Sequence, residues 1–306
     1  MVAGLTERMG YQGAFLFVLL VLASLLHNVP AEKRKLDMAP DAIDDKFLNC
    51  LEKMMKVVTK PGGLLQKELE TSSDFAKVWK KGDETICEKQ IPGGNKYHTT
   101  ALQAYGNSDS KFRKQFNDLV YSKGTNRTTY VDGFPFKSLH FLLTDAFRLA
   151  NSSKSCVTRF YGTTNQYTAK IKEEVRFGKF IRAEIQHSAA AETAMEEDGT
   201  LFNITSCSAI NVDDYTCKSE EISHLISPNE VFRVKNITKV KTADGTYNEI
   251  TLTHSRFLIN HDCYLLGADD DDNDDDDDDD DSSSVQLSCS VLALIASILI
   301  CFTLLE

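Results

Sequence analysis

From Ala42 to about Ala150 the apolar positions recur at helical spacing. Phe47, Cys50, Leu51, Met54 and Met55 form one such stripe, and Phe136, Leu139, His140, Leu143, Ala146 and Phe147 form another. This half of the chain is predicted to be mostly helix. Pro61-Gly62-Gly63 and Pro92-Gly93-Gly94 break it into separate helices, and Asp41 and Asp44 stand where they would cap or electrostatically favour the first one. After Ser155 the period shortens. Runs rich in β-branched and aromatic residues alternate with polar turns, which predicts strands over Val157–Tyr161, Glu174–Ile185, Leu201–Ser206, Glu221–Ile226, Val231–Val234, Tyr247–Thr253 and Cys263–Leu266. Helices followed by strands indicate an α+β fold. Trp79 and His140 lie on helical stretches whose apolar faces need filling. Trp79 is therefore read as a packing anchor and His140 as a satisfied interior or interface histidine.

The two ends break this pattern. Ala14 to Leu26 is an apolar run followed by the compact residues Val29-Pro30-Ala31, which describes a secretory signal over residues 1–31. Val291 to Leu305 is apolar, shorter than the roughly 20 residues that span a bilayer, and followed only by Glu306. Ser282-Ser283-Ser284 precede it by a short spacer. This order predicts a glycosylphosphatidylinositol (GPI) anchor at Ser282, with residues 285–306 removed. The partner implied is the membrane. Residues 32–266 are left as the folded domain and 267–284 as a stalk carrying the attachment site.

Charge enters chiefly through that stalk. The chain carries −11 overall, but Asp269 to Asp281 holds twelve aspartates, without which the remainder sums to +1. The run repels itself and reads as an extended spacer rather than a calcium loop. A nearly neutral domain argues against nucleic acid bound through a broad basic surface. Cys50, Cys87, Cys156, Cys207, Cys217 and Cys263 remain after processing, an even set suited to an oxidising compartment. Six cysteines allow fifteen pairings, and none has the spacing of a zinc site. Sequons at Asn126, Asn151, Asn203 and Asn236 place those positions at the surface if they are glycosylated; Asn203 falls inside an expected strand.

Three stretches carry the candidate chemistry: Cys156 to Thr164, Val175 to Phe180 reading VRFGKF, and Leu225 to Phe232 reading LISPNEVF. With Gly199 to Cys207 between them, their order and spacing resemble the vertebrate-type mono-ADP-ribosyltransferases. Met38-Ala39-Pro40, Ile43 to Phe47 with Cys50, His98 to Tyr105 and Phe134 to Leu149 extend the resemblance over nearly the whole domain. It implies a helical N-terminal part and two strand sheets facing across an NAD cleft. It also implies disulfides Cys50–Cys263 and Cys156–Cys207, with Cys87 and Cys217 left over as a third pair.

Such enzymes move ADP-ribose from NAD to arginine through an oxocarbenium-like state. A carboxylate must stabilise that cation, an arginine fork holds phosphate oxygens, and a serine orients the reacting end. Matched position by position, the arginine expected before Gly162 is Tyr161, the serine is Arg182 and the catalytic glutamate is Ser223, while Glu221 keeps the acceptor-side acid. Arg159 shares the strand face of Tyr161 but lies about 6.6 Å away at about 3.3 Å per residue. Arg159, Gly162, Phe177 and Gly178 are the implied cofactor-side residues. A guanidinium about 4 Å from the departing cationic ring opposes it by about 4 kcal/mol at an effective dielectric near 20, or roughly three orders of magnitude in rate. This penalty is avoided if Arg182 points away, if it pairs with Glu184 or Glu221, or if a two-residue slip carries Glu221 into the catalytic place.

Three readings follow. The first is a GPI-anchored, ADP-ribosyltransferase-like surface protein with little or no transferase activity, binding NAD or another nucleotide, or a protein partner whose identity the sequence does not give. The second is a working NAD-to-arginine transferase using Glu221. The third is an adhesive glycoprotein with a closed cleft.

Overall fold

The computed structural model describes residues 33–84, 88–151, 155–217 and 222–266. The signal, the aspartate run, Ser282, Cys87 and Glu221 lie outside them. The described residues belong to the unit spanning Met1–Gly267.

The first half is helical: α1 (Leu51–Thr59), α2 (Leu64–Thr71), α3 (Ser73–Glu84), α4 (Lys96–Gly106), α5 (Ser110–Ser122), α6 (Arg127–Gly133) and α7 (Lys137–Ala150). Both expected breaks fall between helices, with Gly62 and Gly93 at φ of 67° and 76°. Local caps start several of them. Asn95 and His98 form a capping box on α4, and Asp109 and Asn126 accept from the first turns of α5 and α6. The helix α7, ten of whose residues are buried, has no side-chain N-cap of its own. Glu68 of α2 supplies one, accepting from the backbone N–H groups of Lys137 and Ser138 at 2.8 and 3.0 Å. Around α7 the core is a set of aromatic rings that includes Phe75, Phe112, Phe116, Phe136 and Phe180. Trp79 packs edge-on against Phe75 at its margin.

Asp44 does not favour a helix start. The first helix begins at Leu51 and its preceding Cys50 makes no side-chain cap. Asp44 is instead buried, accepting from Arg176, Asn260 and His261. Asp45 beside it accepts from the backbone of Phe47, Cys263 and Tyr264. These two carboxylates clamp the start of the domain to its end, a task that helical periodicity does not reveal. Phe47, at φ 57°, is accordingly outside the helix Leu51–Thr59, although its spacing continues that helix's apolar stripe.

The second half forms β2 (Val157–Thr163), β3 (Tyr167–Thr168), β4 (Glu174–Arg176), β5 (Ile181–Ala183), α8 (His187–Met195), β6 (Thr200–Ser206), β7 (Ile210–Asn211), β8 (His224–Ile226), β9 (Glu230–Lys241) and β10 (Thr246–Phe257). A five-stranded sheet runs β2-β6-β10-β9-β4, parallel only between β6 and β10. A three-stranded antiparallel sheet runs β5-β8-β7. The two meet where Phe160 of β2 bridges Glu184 just after β5. The short β1 (Arg34–Lys35) lies parallel to β3.

Four expectations are corrected here. Glu174–Ile185 is not one strand: the chain turns through Phe177-Gly178, with Gly178 at φ 62° and no room for a Cβ, which would sit 2.6 Å from Ala39 Cβ. Cys263–Leu266 is a turn, not a strand. α8 interrupts the strand half, and its alanines pack on Leu201 and Tyr247. His140 is buried with neither ring nitrogen hydrogen-bonded, enclosed edge-on by Phe47, Phe134 and Phe180. Cys50–Cys263 and Cys156–Cys207 are bonded as the resemblance implied, and Cys217 is also in a disulfide.

Candidate functional site

Between α4 and α5 on one side and the strands on the other lies a cleft of about 750 Å³. The turn from β4 to β5 forms one wall. Residues 33–37 line it as well, because β1 pairs with β3. Among the described residues its lining carries eight Lys or Arg side chains and two carboxylates, Asp37 and Asp118. Arg176 is buried on Asp44, and Asp118 is bridged by Lys114 and Lys179 at 2.6 and 2.8 Å. The pull of both ammonium groups holds the Asp118 carboxyl below its ordinary range despite partial burial. A second hollow of about 740 Å³, lined by Thr144, Arg148 and Phe257 among others, touches none of the matched positions.

Of the three matched positions, two line the cleft. Tyr161 lies flat on Phe202, with ring centroids 5.8 Å apart and planes 10° from parallel, and meets Phe177 edge-on at 6.1 Å. Burial raises its phenol pKa. The side chain where an arginine was expected is therefore part of an aromatic wall. Arg182 projects from β5 between the buried Ile181 and Ala183 and is about half exposed, at 47 %. Its Nε lies 3.3 Å from Glu184. Among the described residues Arg182 pairs with Glu184, one of the alternatives open in the sequence, and this carboxylate offsets only part of its opposition to a bound cation; Glu221 lies outside the described residues.

Ser223 is not in the lining, whereas its neighbour Ile222 is. The Ser223 hydroxyl lies 3.1 Å from His224 Nδ1, and His224 Nε2 lies 3.0 Å from Arg159 Nη2. A guanidinium only donates, so Nε2 accepts and Nδ1 carries the proton and donates to Ser223. The imidazole cannot take a proton from that hydroxyl, and Ser223 is not an activated nucleophile. Burial first, and then Arg159, lower the His224 pKa and keep the ring neutral. Arg159 is thus tied to His224 and Thr158 O rather than lining the cleft.

The remaining cofactor-side residues divide. Phe177 lines the cleft. Gly178 lets the wall approach Ala39, Ala42 and Tyr121. Gly162 faces α8, where an added Cβ would meet Ala190 O at 1.9 Å. Sequence reading missed the cations of Lys33 to Lys35, Arg113 and Lys114. The first three reach the cleft only through long-range pairing, and the last two lie on the helix α5 (Ser110–Ser122), whose sequence carries no sign of the strands it faces. Cys207, Glu230 and His254 cluster within 4.8 Å, but Cys207 is in a disulfide and Glu230 is filled by Ser206, Ser208, Cys207 N–H and His254. That cluster offers no thiolate and no free carboxylate to a metal.

Of the sequons, Asn126 and Asn236 are exposed. Asn126 uses its carbonyl oxygen as a cap, and the Asn236 amide donates to Thr238 within its own sequon. The Asn151 amide donates to Cys207 O. Asn203 sits in β6, inside the five-stranded sheet, with its amide on Glu249.

Residues 36–256 match the family model described as NAD:arginine ADP-ribosyltransferase. Ecto-ADP-ribosyltransferase 5 of Mus musculus is 28% identical over 247 residues, covering 76% of this chain and 77% of the relative. GPI-linked NAD(P)(+)--arginine ADP-ribosyltransferase 1 of Mus musculus is 30% identical over 228 residues, covering 69% and 68%. Among solved structures, a mutant of the eukaryotic mono-ADP-ribosyltransferase ART2.2 in complex with NAD superposes with a TM-score of 0.59 at 27% identity, over 75% of this chain and 98% of that one.

Proposed function

The chain belongs to the NAD:arginine ADP-ribosyltransferase family, and on that premise we propose that it is a cell-surface member that binds nucleotide in its cleft and has little or no transferase activity. Its domain spans residues 32–266. The protein passes through the secretory pathway and is held at the extracellular face of the plasma membrane by a GPI anchor at Ser282, above an aspartate stalk. The mouse relative named as GPI-linked supports that anchor, and the disulfides fit the compartment.

The observation that carries the reading is Tyr161. Where the resemblance calls for a guanidinium fork on the diphosphate, there is a half-buried ring packed against Phe177 and Phe202, and Arg159 is committed to His224. By the resemblance Ser223 takes the position of the catalytic glutamate, and its hydroxyl, held by His224 outside the cleft lining, offers an oxocarbenium no anion. An open cleft of about 750 Å³ with a cationic lining favours ligand binding over a purely adhesive role.

The test is the mature protein incubated with radiolabelled NAD and an arginine acceptor. Little or no label is expected, and Glu221→Gln changes nothing. Robust labelling that Glu221→Gln abolishes would return the protein to the working transferases. A phosphatidylinositol-specific phospholipase should release it from cells, and retention on the membrane would count against the anchor.

A further inference from the structure

Resting on that nucleotide-binding reading, we infer that the cleft selects adenine nucleotides that carry a diphosphate and no cationic ring, taking reduced NADH and ADP-ribose in preference to NAD+. NAD+ and NADH are nearly identical in size and share two phosphate charges. They differ by the fixed positive charge of the pyridinium ring, so they isolate what the cleft does to one cation.

Four tyrosines line the cleft and would be the natural seats for a pyridinium through cation–π contact. Tyr121 already faces a cation of the protein, and cations lie near the other three. Lys179 lies over the Tyr121 ring, 5.0 Å from its centroid. Burial raises the phenols of Tyr161 and Tyr105, and the nearby charges of Arg182 and Arg34 on the first and Arg113 on the second offset this only in part. Tyr167 is the register partner of Arg34 across β1 and β3. The face of Tyr161 is further occupied by Phe202.

Most of the nearby described carboxylates are committed as well. Asp118 bridges two lysines, Asp37 accepts from Ala39 N–H through one oxygen, and Glu184 holds Arg182. Along most of this lining the ring meets positive charge, and of the two lining carboxylates only Asp37 has no ion pair of its own among the described residues. The diphosphate meets the same charges favourably, and in a partly enclosed cleft they are less screened than on open surface. The cleft therefore favours the more anionic member of each nucleotide pair.

The experiment is titration calorimetry of the mature protein in detergent, at about 0.1 M salt, with NAD+, NADH, ADP-ribose and ADP. NADH and ADP-ribose are expected to bind about tenfold more tightly than NAD+, with the ratio shrinking as salt rises. Arg182→Ser at the half-exposed end of the lining, checked for an unchanged melting point, should narrow the NADH to NAD+ ratio to about threefold. Lys179→Met is the second variant and should narrow it in the same sense. NAD+ binding as tightly as NADH, or a ratio that both variants leave unchanged, overturns the inference while leaving nucleotide binding intact. Heat from none of the four would overturn the nucleotide-binding reading itself, and this inference with it.

Discussion

His140 is a residue whose surroundings are set entirely by others. Burial among aromatic rings lowers its pKa to about 3, against 6.5 for the free side chain. Below about pH 6.5 the unfolded chain takes up a proton that the folded chain refuses. The stability this residue allows is therefore complete above 6.5 and falls by about 1.4 kcal/mol per pH unit until about pH 3. His140→Leu removes two unpartnered nitrogens. It should raise stability at pH 7 by about 1 to 2 kcal/mol and flatten that acid limb, as read from urea midpoints at pH 7 and 5. Destabilisation at both pH values would show that the ring is used. The sequence showed that His140 belongs to an apolar face. It could not show that the ring lacks partners, because that depends on Phe47 and Phe180, which are distant in sequence. Tyr161 carries the same lesson: its identity was legible, but its stacking on Phe202 was not.

Elements were legible where one residue pattern decided them. The helix breaks at Pro61 and Pro92 and the central strands follow from turn chemistry and β-branched runs. α8 was missed because its alanines give no large-residue period, although alanine is the strongest helix former. The fit of α8 to β2 is tight. An alanine at Gly162 would place its Cβ 1.9 Å from Ala190 O, so Gly162→Ala should cost about 2 kcal/mol or more and lower the thermal midpoint. An unchanged midpoint would mean that α8 shifts freely. The single strand expected over Glu174–Ile185 failed for a related reason. Gly178 turns the chain so that β4 joins one sheet and β5 the other, and this turn shapes the cleft wall.

At the scale of the whole molecule, the disulfide Cys50–Cys263 closes a separation of 213 residues, and Asp44 and Asp45 clamp the same two ends. Loop entropy assigns such a bridge about 5 kcal/mol. Cys50→Ser is therefore expected to lower the denaturant midpoint far more than a surface substitution, and a loss under about 1 kcal/mol would show that the carboxylates alone hold the ends. The α+β division and the bridge were within reach of the sequence and its resemblance. The cationic cleft was not, because a near-neutral domain hides it: Lys33 to Lys35 come from one end of the fold, Arg113 and Lys114 from a helix, and Lys179 from a turn. On the function proposed above, this cleft holds a nucleotide without breaking it. The most direct measurement is release of nicotinamide from ring-labelled NAD by the mature protein, with no acceptor present. Release should be indistinguishable from buffer, whereas sustained turnover that Glu221→Gln abolishes would show a working enzyme.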